Sequence, residues 1–148
     1  MYKKILVPLD GSERAETILP YVEDLATRYE STVLFLQIME PGVVDTSPFD
    51  ASPEASANKA VRRSAQVTDY LTQWEQKFQT KGIDARHRVE HGPVVRIIAE
   101  VATSEDVDLI AMASHGRTGL PRVFYGSAAA GVLNRVDRPL FLVRANGY

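Results

Sequence analysis

The sequence contains no cysteine in its 148 residues, which excludes disulfide bonds and thiolate metal ligands and is typical of a reducing compartment. No apolar run approaches the ~20 residues of a membrane-spanning helix, and Pro8 and Asp10 interrupt the early run that a signal peptide would keep apolar. The formal net charge is only −2, with both signs spread along the chain. A broad surface for nucleic acid or an anionic membrane is therefore not expected. We predict a cytoplasmic protein that binds neither and whose anion sites are local.

Strand and helix patterns alternate along the chain, as in α/β proteins built from βαβ units. The length suits one domain over residues 1–148. Apolar runs predict strands at 4–9, 32–39, 84–90, 107–113 and 140–144. Helical periodicity predicts helices at 12–29, 53–81, 92–104 and 127–136, with an irregularity at Pro20 and with Pro93 in the first helical position. The right-handed crossover rule then favours a doubly wound, five-stranded parallel sheet in the order 3-2-1-4-5.

Two polar segments follow the first and fourth predicted strands, between which this sheet order reverses. Asp10 follows the first strand, and a small-residue loop, Met112 to Gly119, follows the fourth. Gly126-Ser127 then opens the last predicted helix. Ligands of such sheets bind at the carboxyl ends of the strands, at the point of reversal. A loop that leads into a helix N-terminus offers N–H groups and partial positive charge to a phosphate.

Several residues of these segments allow two interpretations. Asp10 either meets Mg²⁺ through a bound phosphate or simply forms the turn before Gly11. Ser127 is either a plain N-cap or an N-cap that also donates to phosphate. Arg117 either reaches terminal phosphates or is an ordinary exposed arginine. His115 braces the loop or touches phosphate, and no partner acid or nucleophile assigns it a catalytic role.

Three further features have simpler interpretations. Residues 40–53 contain several prolines and no periodicity, and they form either a lid or a surface excursion. Trp74 lies on the apolar stripe of the long third helix, which favours core packing over stacking on a cofactor. His87 and His91 are about 13 Å apart if both lie on one strand, too far for a shared metal ion.

Four segments together resemble the universal stress protein family. They are residues 5–12 (ILVPLDGS), 112–119 (MASHGRTG), 126–128 (GSA) and 138–143 (RPLFLV). The resemblance spans the chain in order and implies a Rossmann-like sandwich of the adenine nucleotide alpha-hydrolase type. The nucleotide-binding branch of this family carries the pattern Gly-x-x-Gly-x9-Gly-Ser/Thr. Gly116, Gly126 and Ser127 match this pattern, whereas Ala113 stands in place of the first glycine.

The resemblance also implies the site, by position. Asp10 would meet ribose or adenine, and Pro8, Ile38 and Met112 would form part of the adenine pocket. The nucleotide-binding residues would be Pro8, Asp10, Ile38, Met112, Ala113, His115, Gly116, Arg117, Gly126, Ser127 and Ala128. If position 113 needs a left-handed backbone, alanine costs about 1–2 kcal/mol, whereas in an extended backbone it costs little. We expect binding to be retained.

Three functions fit this sequence. The first is a regulatory or protective stress protein that binds ATP, or AMP or ADP, with Mg²⁺. The second is a nucleotide-free dimeric interaction module of the same fold. The third is a slow ATPase or phosphotransferase, the weakest of the three because Walker A Gly-Lys-Ser/Thr is absent and no general base stands out. In the predicted order the apolar strand Leu140–Val143 lies at a sheet edge, which favours a homodimer through that strand.

Overall fold

A computed structural model of the protein describes residues 1–40, 53–114 and 127–145. Five parallel strands form one sheet in the order β3-β2-β1-β4-β5, which confirms the predicted doubly wound topology. The strands are β1 (Lys4–Leu9), β2 (Thr32–Met39), β3 (Ala85–His91), β4 (Leu109–Ala113) and β5 (Leu140–Val143). The helices are α1 (Glu13–Glu16), α2 (Leu19–Tyr29), α3 (Pro53–Thr80), α4 (Val94–Ser104) and α5 (Ser127–Arg135).

The two faces of the sheet bury two separate apolar clusters. Side chains of α2 and α3 pack with Val7 and Phe35 on one face, here called the α3-side face. Side chains of α4 and α5 pack with Leu6, Leu36 and Ile110 on the other, here called the α5-side face. Successive side chains of a strand alternate between faces, so a strand covered on both must be apolar nearly throughout. This explains the continuous apolar runs of β1, β2 and β4.

The first predicted helix, 12–29, is in fact two helices. The short α1 ends at Glu16, and α2 begins at Leu19 with Pro20 in its first turn. Proline lacks an N–H group and its ring clashes with a preceding helical carbonyl, so a helix is interrupted before it. The last turn of α1 is closed by Thr17, whose hydroxyl donates to the Arg14 carbonyl at 2.7 Å. The predicted irregularity at Pro20 is therefore confirmed as a break in the helix.

The fourth strand begins at Leu109 rather than at Val107, because the preceding residues cap α4. Asp106 has a left-handed backbone with φ of 50°, and the Val107 N–H donates to the Ala102 carbonyl at 3.0 Å. This bond pattern is that of a Schellman cap, and it holds Val107 outside the strand ladder. Pro93 is the N-cap of α4 rather than its first residue.

The other predicted bounds differ from the structure by one residue, at the ends of α3, β3, α5 and β5. Within the described ranges, no helix combines the length and the apolar character that crossing a membrane requires.

An ion-pair network ties the amino end of the sheet to the helix layer. Glu105 follows α4 and receives hydrogen bonds from Lys4 Nζ at 3.2 Å and from Arg88 Nη1 at 2.8 Å. The pKa of Glu105 lies below its ordinary value, chiefly because Lys4 donates to the carboxylate and Arg88 adds a second bond. The network links β1 and β3, which are not neighbours in the sheet.

Candidate functional site

The candidate site is the carboxyl edge of the sheet where β1 lies between β2 and β4. Pro8 of β1, Ile38 of β2 and Met112 of β4 come from three adjacent strands. Met112 belongs to the buried cluster of the α5-side face, and Ile38 packs against it. Pro8 is two residues beyond Leu6 and so faces the same way. The structure therefore brings the three predicted adenine-pocket residues onto one face.

Asp10 closes the end of β1 with a turn. Its Oδ1 accepts hydrogen bonds from the Ser12 N–H at 2.9 Å and from the Ser12 hydroxyl at 2.5 Å. Gly11, between them, has φ of 84°, which glycine adopts without strain. Ser12 in turn caps α1 by accepting the Ala15 N–H at 3.2 Å. Asp10 thus has the turn-forming role that was one of its two interpretations, and it also lies at the switch point.

A hydrogen bond joins α1 to α3 beside this edge. The Tyr70 hydroxyl of α3 donates to Glu16 Oε2 at 2.8 Å. Burial raises the pKa of Tyr70 above its ordinary value, and the bond to Glu16 and the charges of Glu16 and Asp10 raise it further.

The N-terminus of α5 lies on the other side of the edge. The helix begins at Ser127, which is its exposed first residue rather than the cap before it. Ala128 packs against the same cluster as Met112 and Ile38. The first turn of α5 contains no acidic residue. Helix N–H groups and the positive end of the dipole are thus available near the predicted adenine pocket.

Ala113 lies in a strand, which resolves its two interpretations. It pairs with Val143 in the β4–β5 ladder, is 7% exposed, and is not among the described residues with positive φ. Alanine therefore causes no left-handed strain at the position of the missing glycine. Because side chains alternate, its methyl group points to the face opposite Met112.

Ser114 was missed by the sequence-based prediction. It follows Ala113 directly, is 4% exposed, and its Oγ has no hydrogen-bond partner in the described parts of the chain. An unpaired buried hydroxyl costs about 1–3 kcal/mol, so this group is not explained by packing alone. The sequence offered one signal, a polar residue directly after a fully apolar strand at the predicted switch point.

Four predicted site residues belong to the segment between β4 and α5. His115, Gly116, Arg117 and Gly126 lie outside the described residues, as do residues 41–52 of the predicted lid or excursion. The described residues contain no group of three or more histidine, aspartate or glutamate side chains that could hold a metal ion. His87 contacts the Glu75 carboxylate, which joins β3 to α3.

An apolar groove on the α3 side lies between α2 and α3, on the opposite face of the sheet from Met112 and Ile38. It has a volume of about 410 Å³ and is lined partly by Leu19, Pro20, Trp74 and Phe78. Trp74 packs against the buried cluster of the α3-side face, which confirms its predicted packing role. The Lys77 ammonium lies 4.4 Å from the centre of the indole ring.

Comparison with known proteins agrees with this architecture. A family model described as the universal stress protein family matches residues 1–144. The chain belongs to this family. It is 31% identical to universal stress protein MJ0577 of Methanocaldococcus jannaschii over 156 residues, which covers 97% of this chain and 96% of that protein. The solved structure of MJ0577 superimposes with a TM-score of 0.87 at 25% identity, covering 100% of this universal stress protein and 99% of the other chain.

Two more distant family structures contain an adenine nucleotide. One is a universal stress protein in complex with cAMP, with a TM-score of 0.70, 17% identity and 98% coverage of both chains. The other is a family member from Arabidopsis thaliana with AMP bound, with a TM-score of 0.70, 15% identity and coverage of 98% of this chain and 93% of that one. At 17% and 15% identity, the similarity of these two structures to our universal stress protein shows a shared fold alone.

Proposed function

We propose that this universal stress protein binds ATP, or another adenine nucleotide, with Mg²⁺ at the carboxyl edge between β1 and β4, and that it acts as a regulatory or protective factor. The observation that supports this most is the convergence of Pro8, Ile38 and Met112 on one face, with Ala128 of α5 packed against the same cluster. An apolar seat beside a helix N-terminus suits a ligand with a flat base and an anionic tail. Family relatives with bound cAMP and AMP make an adenine nucleotide the first candidate.

The roles divide by chemistry. The apolar Pro8, Ile38 and Met112 would contact adenine, and the Asp10 carboxylate would accept from a ribose hydroxyl. The phosphates would meet Ser127 and Ala128 at the start of α5, together with the sequence-matched residues His115, Gly116, Arg117 and Gly126.

Magnesium enters the proposal only through the nucleotide. When bound, Mg²⁺ would neutralise phosphate charge, and Asp10 is the carboxylate of this edge that could meet it through phosphate. The described residues gather no set of three metal-ligating side chains, so the phosphates would have to supply other ligands. The proposal includes a cytoplasmic location, where free adenine nucleotide is available.

Isothermal titration with ATP, with and without Mg²⁺, tests the proposal. We expect saturable heat and an increase in the melting temperature. Ser127→Ala should weaken ATP binding about fivefold, because it removes one hydrogen bond worth about 1 kcal/mol. Ser104→Ala is the matched control, since this exposed serine ends α4 at the opposite edge of the sheet. Absence of heat and of thermal shift at millimolar ATP would overturn the proposal.

Ala113→Gly provides a second comparison. Because Ala113 has an extended, paired backbone and a methyl group on the far face, glycine should bind ATP within about twofold of the wild type. A large gain in affinity would mean that position 113 changes conformation when nucleotide binds. Release of inorganic phosphate from ATP, measured in the same samples, would separate a regulatory binder from a slow ATPase.

We also propose a homodimer through β5. This strand is an edge of the sheet, and all four of its residues are half-buried. The Ile110 and Ser114 N–H groups donate to the carbonyls of Pro139 and Val143 at 2.9 and 2.8 Å. Backbone groups alternate in direction along a strand, so those of Leu140 and Leu142 point away from β4. A second copy could pair with them.

The same edge supports the second candidate function, a nucleotide-free interaction module. Tyr21 of α2 is 49% exposed, and its ring lies 5.8 Å from that of Phe141 in β5. The apolar edge therefore continues onto the helix layer. A stable dimer without measurable nucleotide binding would favour this function over the first.

A further inference from the structure

The apolar groove between α2 and α3 is bounded by two polar contacts between its walls. Glu16, just before α2, accepts a hydrogen bond from the Tyr70 hydroxyl of α3 at 2.8 Å. Glu23 of α2 accepts one from Nζ of Lys81, just after α3, at 2.7 Å. Because the first contact joins the earlier residues of both walls and the second joins the later ones, the groove lies between the two contacts.

The size of the groove suits a small molecule better than a partner helix. The contacts made by Tyr70 and Lys81 are roughly 16 Å apart along α3, at 1.5 Å per residue. A helix of about 12 residues is roughly 18 Å long, so one laid along the groove would have to displace a contact. The volume of about 410 Å³ lies within the range of small-molecule pockets. Leu19 and Phe78, which line it, are 3% and 2% exposed and form an apolar floor.

The rim of the groove is cationic at one end. Lys77 and Lys81 both line it and, four residues apart, lie on one side of the chain. Glu23 pairs with Lys81. Within the described ranges Lys77 makes no such pair, and its ammonium lies 4.4 Å from the centre of the Trp74 ring. The other carboxylate of the rim, Glu16, belongs to the contact at the opposite end, roughly 10 Å along α3 from Lys77.

We propose that this groove is a second ligand site, which binds a small monocarboxylate with an apolar chain. The chain would lie against Leu19, Phe78 and the Trp74 ring, since burial of apolar surface favours binding. The carboxylate would meet the Lys77 ammonium without displacing a carboxylate of the protein. The groove and the proposed nucleotide site lie on opposite faces of the sheet, so the inference does not depend on nucleotide binding.

Octanoate is the probe for this site, and octanol is its uncharged counterpart. Trp74 is the one tryptophan in the sequence, so its fluorescence reports on this groove alone. We expect octanoate to change that fluorescence saturably and to give saturable heat in isothermal titration. Octanol should bind about fivefold more weakly, because a partly exposed ion pair contributes a factor of this size at most.

Lys77→Gln tests the role of the charge. It should weaken octanoate binding about fivefold and leave octanol binding within twofold. Lys3→Gln is the matched control, since this exposed lysine precedes β1 and lies outside the groove. It should leave the binding of both probes unchanged.

Three results would overturn the inference. The first is no heat and no change in Trp74 fluorescence at millimolar octanoate. The second is equal affinity for octanoate and octanol, or an octanoate affinity that Lys77→Gln does not change; the groove would then be an apolar contact surface for another macromolecule. The third is an equal loss in Lys3→Gln, which would mean that the overall charge of the protein attracts the anion.

Discussion

Gly131→Ala should destabilise this protein, although the same change stabilises most helices. Gly131 lies inside α5, where alanine is favoured over glycine by about 1 kcal/mol. A β-carbon at this position would lie 2.6 Å from Val95 Cγ2 and 3.2 Å from Val95 Cγ1. Valine in a helix has one strongly preferred rotamer, so Val95 of α4 cannot turn away without strain. Overpacking of this kind costs about 1–3 kcal/mol, and we expect a net loss of about 1 kcal/mol.

A double-mutant cycle with Val95→Ala isolates this contact. In the Val95→Ala background the clash is absent, so Gly131→Ala should stabilise by about 1 kcal/mol, its intrinsic helix propensity. The sign of one substitution would therefore reverse, with a coupling energy of about 2 kcal/mol. Urea denaturation of the four proteins measures it, and the melting temperature should move about 2–4 °C for each kcal/mol.

The reasoning would be refuted by Gly131→Ala stabilising the otherwise wild-type protein, or by the same effect in both backgrounds. Either result would mean that α4 and α5 separate at no cost. The cycle also reports on the candidate site, because α5 presents Ser127 and Ala128 at its start. A helix displaced by the clash should bind ATP more weakly, and Val95→Ala should restore the affinity.

Three further perturbations follow from the structure. Phe78→Ala should cost about 3–5 kcal/mol in urea denaturation, because the ring is 2% exposed and meets Phe35 edge-on at 5.0 Å; a loss below 1 kcal/mol would contradict its core role. Glu105→Gln should cost about 1 kcal/mol at pH 7. The pKa of Glu105 in the folded protein is depressed, chiefly by the bond from Lys4, so its stabilising effect is present above the ordinary glutamate value of 4.5. The difference in stability between wild type and Glu105→Gln should therefore disappear as the pH falls below 4.5 and through the lowered pKa. A difference that persists in acid would refute this expectation. Leu142→Pro should turn the proposed dimer into a monomer of 16.4 kDa in analytical ultracentrifugation while the fold remains, since its N–H points away from β4; an intact dimer would exclude β5 as the interface.

Much of the fold was predictable because local patterns report burial. The apolar runs of β1 and β2 predicted strands with the bounds that the structure has, and the βα alternation with the crossover rule left one favoured order. The switch point followed from that order, whereas the grouping of Pro8, Ile38 and Met112 came from the family resemblance. The strands and their order were predicted correctly because each depends on periodicity or connectivity, which are properties of the chain itself.

Other features depended on contacts that periodicity does not encode. The apolar spacing of residues 12–29 continues across Pro20, but the backbone there divides into α1 and α2. The apolar run of the fourth strand includes Val107, but the left-handed Asp106 assigns that residue to the cap of α4. In both cases backbone hydrogen bonding overrode a correct hydrophobic pattern.

By itself, the sequence determined the order of elements, the parallel sheet and the point at which the strand order reverses, because burial and connectivity leave periodic traces in the chain. Only the tertiary structure decided that Ala113 is extended, that its methyl group faces away from Met112, and that the Ser114 hydroxyl is buried without a partner in the described residues. Such properties arise where separate elements meet, since the direction of a side chain and the partners of a polar atom depend on neighbours distant in sequence.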